Sequence, residues 1–506
     1  MYRFASYYID LLTTLAKDLW DFIVTLFNSF ANIFYFNLVD YINDFVYRSS
    51  TFTFLDWFMA IFVFIVNIGF IIFIIIRLFQ LLKKYIRFSK KEIEKDRLLE
   101  EISLLSQRVV EVTSEKNKIL ELKMESFGLN PNLFSEFTDD EDEEESRFVK
   151  LINIDKQYQN YNPAILMTED DTINLKALVK RFIYFSASQL GLYYNEQVIA
   201  AFFAGMASSK IIILEGISGT GKTSLPYAMG KFFKYDTAIV SVQPSWRDRT
   251  EMIGYLNEFI KRFNETDFLM KLYESTYRQD PNFIVLDEMN LSRIEYYFAE
   301  FLSIMEMPNK KDWLIDIVPD SQKGDPKNLK NGKLLVNQNV WFVGTANKDD
   351  STFTITDKVY DRAAPIEVNY RAEYIDAPYT APVSMSHDYL ERLFSEAKQA
   401  NPISPKGLDN LEKLDKFISQ NFKITFGNRI MKQIHDFVPV YVAAGRSEIE
   451  GLDYMVTHKI LRKFEALNLP FLQEELEELL VVLDRLFGKG QFKMAISYIN
   501  DLRKQI

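Results

Sequence analysis

Gly216-Ile217-Ser218-Gly219-Thr220-Gly221-Lys222-Thr223 follows the apolar run Ile211-Ile212-Ile213-Leu214 after a single residue, Glu215. The eight residues fit G-x-x-x-x-G-K-[ST], and the run in front reads as a buried strand, the context this pattern needs. The glycines let backbone N–H groups turn inward around a phosphate chain, and the N-terminus of the following helix adds its positive dipole end. In that arrangement Gly216, Ser218, Gly219, Thr220, Gly221 and Ser224 form the cradle. Lys222 reaches the β- and γ-phosphates, and the Thr223 hydroxyl ligates Mg²⁺. Pro226 falls early in the helix, where it removes one backbone hydrogen bond.

A second element completes such a site. Phe283-Ile284-Val285-Leu286 is an apolar strand ending in Asp287 and Glu288. Asp287 holds Mg²⁺ through water, and Glu288 polarises an attacking water. The run Val340-Trp341-Phe342-Val343 leads into Gly344-Thr345-Ala346-Asn347, placing an amide at a strand tip to orient that water and sense the γ-phosphate. From Ile294 to Asp361 the chain has no arginine, so Arg362 is the only guanidinium between the Asn347 strand and Arg371. A planar, permanently charged fork suits charge developing on a transferred phosphoryl group.

Taken in order, the glycine loop, Asp287-Glu288 continuing as Met289-Asn290-Leu291-Ser292-Arg293, the Gly344–Asn347 strand tip and the segment from Asp357 to Arg362 resemble an AAA+ ATPase of the dynein-related, McrB-like and MoxR-like branch. The resemblance covers roughly residues 165 to 470. It implies that Asp287 and Glu288 are the metal and base carboxylates, that Asn347 is the first sensor, and that Arg362 is an arginine finger reaching a neighbouring subunit's nucleotide. Phe426-Gly427-Asn428-Arg429 resembles the second sensor, which implies that Arg429 touches the γ-phosphate of its own chain. The stretch from Lys459 to Glu465 resembles the closing helix of the family's lid, and Leu-rich periodicity through 470–503 predicts further helices. Residues 244–256 resemble the family's pore-side element. Trp246, Arg247 and Tyr255 contact a partner there, or Trp246 and Tyr255 pack in the core. Asp312 to Gln338 resembles a β-hairpin insertion.

The N-terminal third has another character. Trp57 to Ile76 is twenty uncharged residues, preceded by Asp40, Asp44 and Asp56 and followed by Arg77, Lys83, Lys84, Arg87, Lys90 and Lys91. The length predicts a transmembrane helix, and the basic flank places its C-terminal side in the cytoplasm. In residues 1–50, Asp10, Thr14, Lys17, Asp21, Thr25, Asn28 and Asn32 draw one polar stripe, predicting a membrane-associated amphipathic helix or a second span. Leu98, Ile102, Leu105, Val109, Val112 and Ile119 keep alternating steps of four and three, with Lys116 at one seam position, which predicts a coiled coil.

Composition narrows the classes further. The 506 residues hold no cysteine, so disulfides and thiolate metal sites are excluded, and only three scattered histidines, His387, His435 and His458. Of the formal charge of −11, the run Asp139–Glu145 supplies −7, which leaves −4 elsewhere and no sign of a dedicated nucleic-acid surface. That run reads as an extended, self-repelling linker.

The expected organisation is therefore α/β, a P-loop core of parallel sheet and helices with a helical lid, preceded by a transmembrane helix and a coiled coil. The boundaries fall at 1–50, 51–88 (the span), 89–126 (the coiled coil), 127–150 (the linker), 151–372 (the core) and 373–506 (the lid and C-terminal helices). The expected function is a membrane-anchored ATPase with Mg²⁺ that forms a hexameric ring and remodels a protein partner. No base-reading motif separates ATP from GTP. The alternatives are an NTP-driven motor acting with a partner nuclease, and a membrane scaffold whose nucleotide switches assembly.

Overall fold

The computed structural model describes residues 146–504 except Ser218, 348–351 and 370–371, together with residues 37–59 and scattered positions between 13 and 77. The predicted coiled coil, the acidic run and most of Trp57–Ile76 lie outside the described residues. Among the described residues no helix is long and apolar enough to cross a membrane.

Two compact units divide the chain at Asp140. In the first, helix Asn37–Ser49 carries an Asp44–Arg48 pair at 3.0 Å one turn apart. Phe45 of this helix meets Phe52 and Trp57, beyond its end, edge to face, as those two meet each other.

The second unit is built on a five-stranded sheet. Its strands are β1 (Ile211–Gly216), β2 (Ala238–Ser241), β5 (Asn282–Asp287), β9 (Val340–Asn347) and β10 (Ala364–Glu367), in the order β10-β1-β9-β5-β2. All pairs are parallel. Parallel strands need covered faces, which is why β1 is apolar and buried along its length. Successive side chains alternate between two cores. Ile212, Leu214, Phe283, Val285, Trp341 and Val343 join one core with helices Leu175–Leu190 and Glu196–Ser208 and the C-terminal helices. Ile211, Ile213, Ile284, Leu286 and Phe342 join the other with helix Asp267–Glu274. The expected α/β sheet flanked by helices is present.

Two insertions grow from the second face. The hairpin of β3 (Gly254–Asn257) and β4 (Arg262–Glu265) ends in an exposed tip. A three-stranded antiparallel sheet joins β6 (Leu314–Asp316), β7 (Leu329–Lys330) and β8 (Lys333–Leu335), in line with the hairpin expected over 312–338. Trp246 is buried edge-on against Tyr297, whereas Tyr255 and Arg247 are exposed. The core reading therefore holds for Trp246 and fails for Tyr255.

The linker boundary at 150 needs correction. Arg147 reaches Asp325 at 2.8 Å and Asp320 at 2.9 Å, and Phe148 stacks on Phe263. The Glu265 carboxylate accepts the backbone N–H groups of Val149, Lys150 and Leu151, so it caps helix Lys150–Gln157 from the hairpin. Three consecutive N–H groups and an arginine with long-range partners put residues 147–150 in the folded body.

The C-terminal region is helical as expected. Its helices are His387–Ala400, Pro405–Phe422, Gly427–Ala443, Glu448–Lys459, Gln473–Phe487 and Lys493–Lys504. It is pinned to the sheet by Tyr454, whose hydroxyl donates to the Pro365 carbonyl, and by buried Lys459, which donates to the carbonyls of Tyr360 and Ala363.

Candidate functional site

The C-terminal ends of the parallel strands converge, the place where open α/β sheets bind ligands. β1 runs into the glycine loop and then helix Ser224–Phe232. Gly219 (φ 82°) and Gly221 (φ 91°) take left-handed conformations that a side chain would oppose. A Cβ at Gly216 would run into the Val368 carbonyl. Inside the curl, the buried Lys222 ammonium donates to the carbonyls of Gly216 (3.0 Å) and Ile217 (2.7 Å). Thr220 donates to Ile217 O and Ser224 to Gly221 O, so two hydroxyls brace the loop. Ser218 lies outside the described residues. Pro226 is the third residue of its helix, within the first turn, where few N–H groups have an intrahelical partner.

The carboxylates meet this loop directly. Asp287 Oδ1 accepts from the Thr223 hydroxyl at 2.7 Å and from the Thr345 hydroxyl at 2.7 Å. Thr345 also accepts the Glu288 backbone N–H at 2.8 Å. Glu288 itself sits at φ 53°, ψ 46°, a left-handed conformation that a non-glycine residue holds only when its surroundings enforce it. The Thr345 hydroxyl ties down the backbone at this turn, and the Glu288 side chain is exposed. Sequence reasoning assigns Thr345 no role. The one signal that could have found it is its place two residues before Asn347, on a strand beside β5.

β9 lies between β1 and β5, with Asn347 in register beside Gly216. The Asn347 carbonyl accepts from Asn290 (2.9 Å) and Thr352 (3.1 Å). The residue lines a cavity of about 230 Å³ with Glu215, Tyr360 and Arg462. Arg462, missed in the sequence, lies over the Tyr360 ring and brings a guanidinium of the C-terminal helices to this end of the sheet. A smaller cavity of about 90 Å³ beside Thr220 is lined by Tyr193, Tyr194, Asn195, Gln197 and Tyr454, among others.

Arg362 and Arg429 are elsewhere. The Arg362 carbonyl accepts from Ser209, two residues before β1 begins, and Arg362 itself precedes β10. Its Nε lies 2.6 Å from Glu306 Oε1 and its Nη1 donates to the Lys358 carbonyl. Arg429, in the first turn of helix Gly427–Ala443, pairs with the same Glu306 oxygen. Both line a cleft of about 730 Å³ with Ser209, Lys210 and Ile211, at the start of β1. At about 3.3 Å per residue, the length of β1 puts them roughly 16 Å from the glycine loop. The expectation that Arg429 touches the γ-phosphate of its own chain is thereby corrected. Its helix packs on helix Glu196–Ser208, which leads into the start of β1, and its guanidinium pairs with Glu306 there.

No family model and no curated protein matches the chain. Among solved structures, the fold is similar to a crystal structure from Cytophaga hutchinsonii of a protein provisionally called an ATPase. The match has 13% identity and a TM-score of 0.38, over 65% of this chain and 96% of that one. A similarity of that size decides nothing about activity, and the chemistry rests on the residues.

Proposed function

We propose that the chain is a nucleoside-triphosphate hydrolase of the AAA+ type, working as a ring in which each pocket is completed by the adjoining copy. One observation carries this reading: the phosphate loop and catalytic carboxylates lie at one end of the sheet, and Arg362 and Arg429 lie at the other. A single copy has no guanidinium of that pair within reach of its own loop. A cyclic, head-to-tail stack of copies brings the two ends together.

Within one pocket, the loop N–H groups and Lys222 bind the phosphates. Glu288, held by Thr345, takes the proton of the attacking water, and the Asn347 strand tip lies between loop and base. Thr223 and Asp287 present adjacent hard oxygens of the kind that suits Mg²⁺, which when bound would neutralise phosphate charge. The neighbour's Arg362 meets the charge that develops on the γ-phosphoryl group, and Arg429 stands beside it.

ATP is the expected substrate. The uncharged run Trp57–Ile76 would anchor the ring to a membrane, and angular change between sheet and C-terminal helices would remodel a bound partner.

The test is complementation. Arg362→Ala and Glu288→Gln each abolish most hydrolysis, with a loss of about 10³–10⁵ for the arginine. In mixed rings, Glu288 of the first variant faces Arg362 of the second, and activity returns in those pockets. Mixtures as inactive as either variant alone would end the shared-pocket reading.

A further inference from the structure

We propose that Glu306 is a built-in stand-in for phosphate: it occupies Arg362 and Arg429 in the free subunit and is displaced by the γ-phosphate of the neighbour's nucleotide. The inference rests on the shared-pocket reading and adds a control to it.

Three elements meet at one oxygen. Glu306 follows the helical turn Ala299–Ile304 of the core, Arg362 precedes β10, and Arg429 opens helix Gly427–Ala443. Glu306 Oε1 contacts Arg362 Nε at 2.6 Å and also Arg429 Nη2. Guanidinium forks recognise carboxylate and phosphate with the same donors, so a carboxylate fills the place an incoming phosphate would take. The groups differ in exposure: the Arg362 side chain is 17% exposed, Glu306 33% and Arg429 45%. The carboxylate and the outer arginine are therefore open to an approaching surface, while Arg362 is held behind them.

The rest of the cleft fits an anion. Four lysines line it beside the two arginines, against three carboxylates. Two of those carboxylates are engaged inside, Glu391 with Lys210 and Asp436 with Lys398. Glu306 is thus the carboxylate set against the arginines. A terminal phosphate carries more charge and more acceptor oxygens than Glu306. Held on a neighbour's loop, it also arrives at high effective concentration. Exchange of one anion for the other would make assembly depend on the neighbour being loaded, and would keep an unassembled subunit's guanidiniums occupied.

The measurement is specific hydrolysis by the full-length protein against protein concentration, at saturating ATP. In Glu306→Gln the arginines are released, so the concentration giving half-maximal specific activity falls about five-fold. Glu306→Asp is one methylene shorter and cannot span both arginines, so it shifts the same way by a smaller factor. It carries the test alone if the glutamine variant does not fold. A half-activation concentration unchanged or raised in the folded variant overturns the stand-in role and makes Glu306 an ordinary support for the arginines. Failure of the underlying reading looks different: Arg362→Ala would then hydrolyse at full rate whatever Glu306 does.

Discussion

At the C-terminal ends of β1, β5 and β9, functional side chains are fixed by hydroxyls and backbone groups. Asp287 has two threonine hydroxyls on one oxygen, Glu288 is held by Thr345, and Lys222 is turned into its own loop. At the other end of the same sheet, Arg362 and Arg429 are held mainly by charge, on one glutamate drawn from a third element. Short hydrogen bonds between neighbouring strands set a geometry that is built once and kept. Ion pairs between separate elements exchange partners when a better anion arrives, because partly exposed pairs contribute little net stability. On the proposed reading, the first end is organised for chemistry and the second for recognition of a neighbour.

The sharpest way to break the comparison is at Glu288. If the C-terminal end holds the chemistry, Glu288→Gln removes the base while leaving the loop intact. Turnover should fall about 10²–10⁴-fold, with nucleotide affinity within a small factor of the original. Equilibrium binding and single-turnover hydrolysis on the same preparation separate the two. Normal turnover would remove Glu288 from the reaction and with it the claim that this end is catalytic.

Thr345 sharpens the same claim. Thr345→Val keeps the shape but removes a donor to Asp287 and the acceptor for the Glu288 N–H. Leaving that N–H without its partner costs about 1–3 kcal/mol, and a loss of that size on a catalytic carboxylate reads as about a ten-fold fall in kcat or more. The Mg²⁺ concentration for half-maximal activity should rise as well, because Asp287 loses its orienting hydroxyl. Thr345→Ser should restore both, since it returns the hydroxyl without the methyl. A valine variant indistinguishable from the parent would mean that the left-handed turn at Glu288 is held by packing.

These residues also show what a sequence can disclose. Gly216 to Thr223, Asp287, Glu288 and Asn347 stand out in the sequence because each belongs to a local pattern, glycines that permit a curl or polar groups where an apolar strand stops, and the structure brings the described ones to one end of the sheet. Three of the five strands, β1, β5 and β9, followed from apolar runs long enough to be buried on both faces, whereas β2 and β10 are four residues each and give no such run. Thr345 was visible yet mute, because its two partners lie on a neighbouring strand. Glu306 gave no signal, sitting in an ordinary stretch of acid and methionine between a helical turn and an insertion. Arg429 sits at the other end of the sheet from the one the resemblance implies, because its helix docks by long-range packing on helices Glu196–Ser208 and Glu448–Lys459. Residues 147–150 were assigned to the linker for a similar reason. Their partners, Glu265, Asp320 and Asp325, lie more than a hundred residues away.

Lys459 offers the smallest effect and a view of how the recognition end is held. Its ammonium is buried and donates to the carbonyls of Tyr360 and Ala363, on either side of Arg362. Burial pulls its pKa down from 10.5 to about 7; Lys463, Arg462 and Arg429 push in the same direction and Asp361 opposes them. Between about pH 7 and 10.5 the unfolded chain binds a proton here that the folded chain has released. Stability therefore rises with pH across that window, by at most about 1.4 kcal/mol per unit. Below it, both states are protonated and the slope from this residue vanishes. Lys459→Met is close in length and does not titrate, so its melting temperature should lack that rise. Buried Lys210, with a pKa lowered to about 8, contributes a similar slope, but equally to both proteins. The difference between the two melting curves from pH 7 to 10, about three units of the relevant titration, therefore isolates Lys459. Parallel curves would show that this lysine carries no burial cost, and that its two carbonyl bonds beside Arg362 fully offset the loss of water.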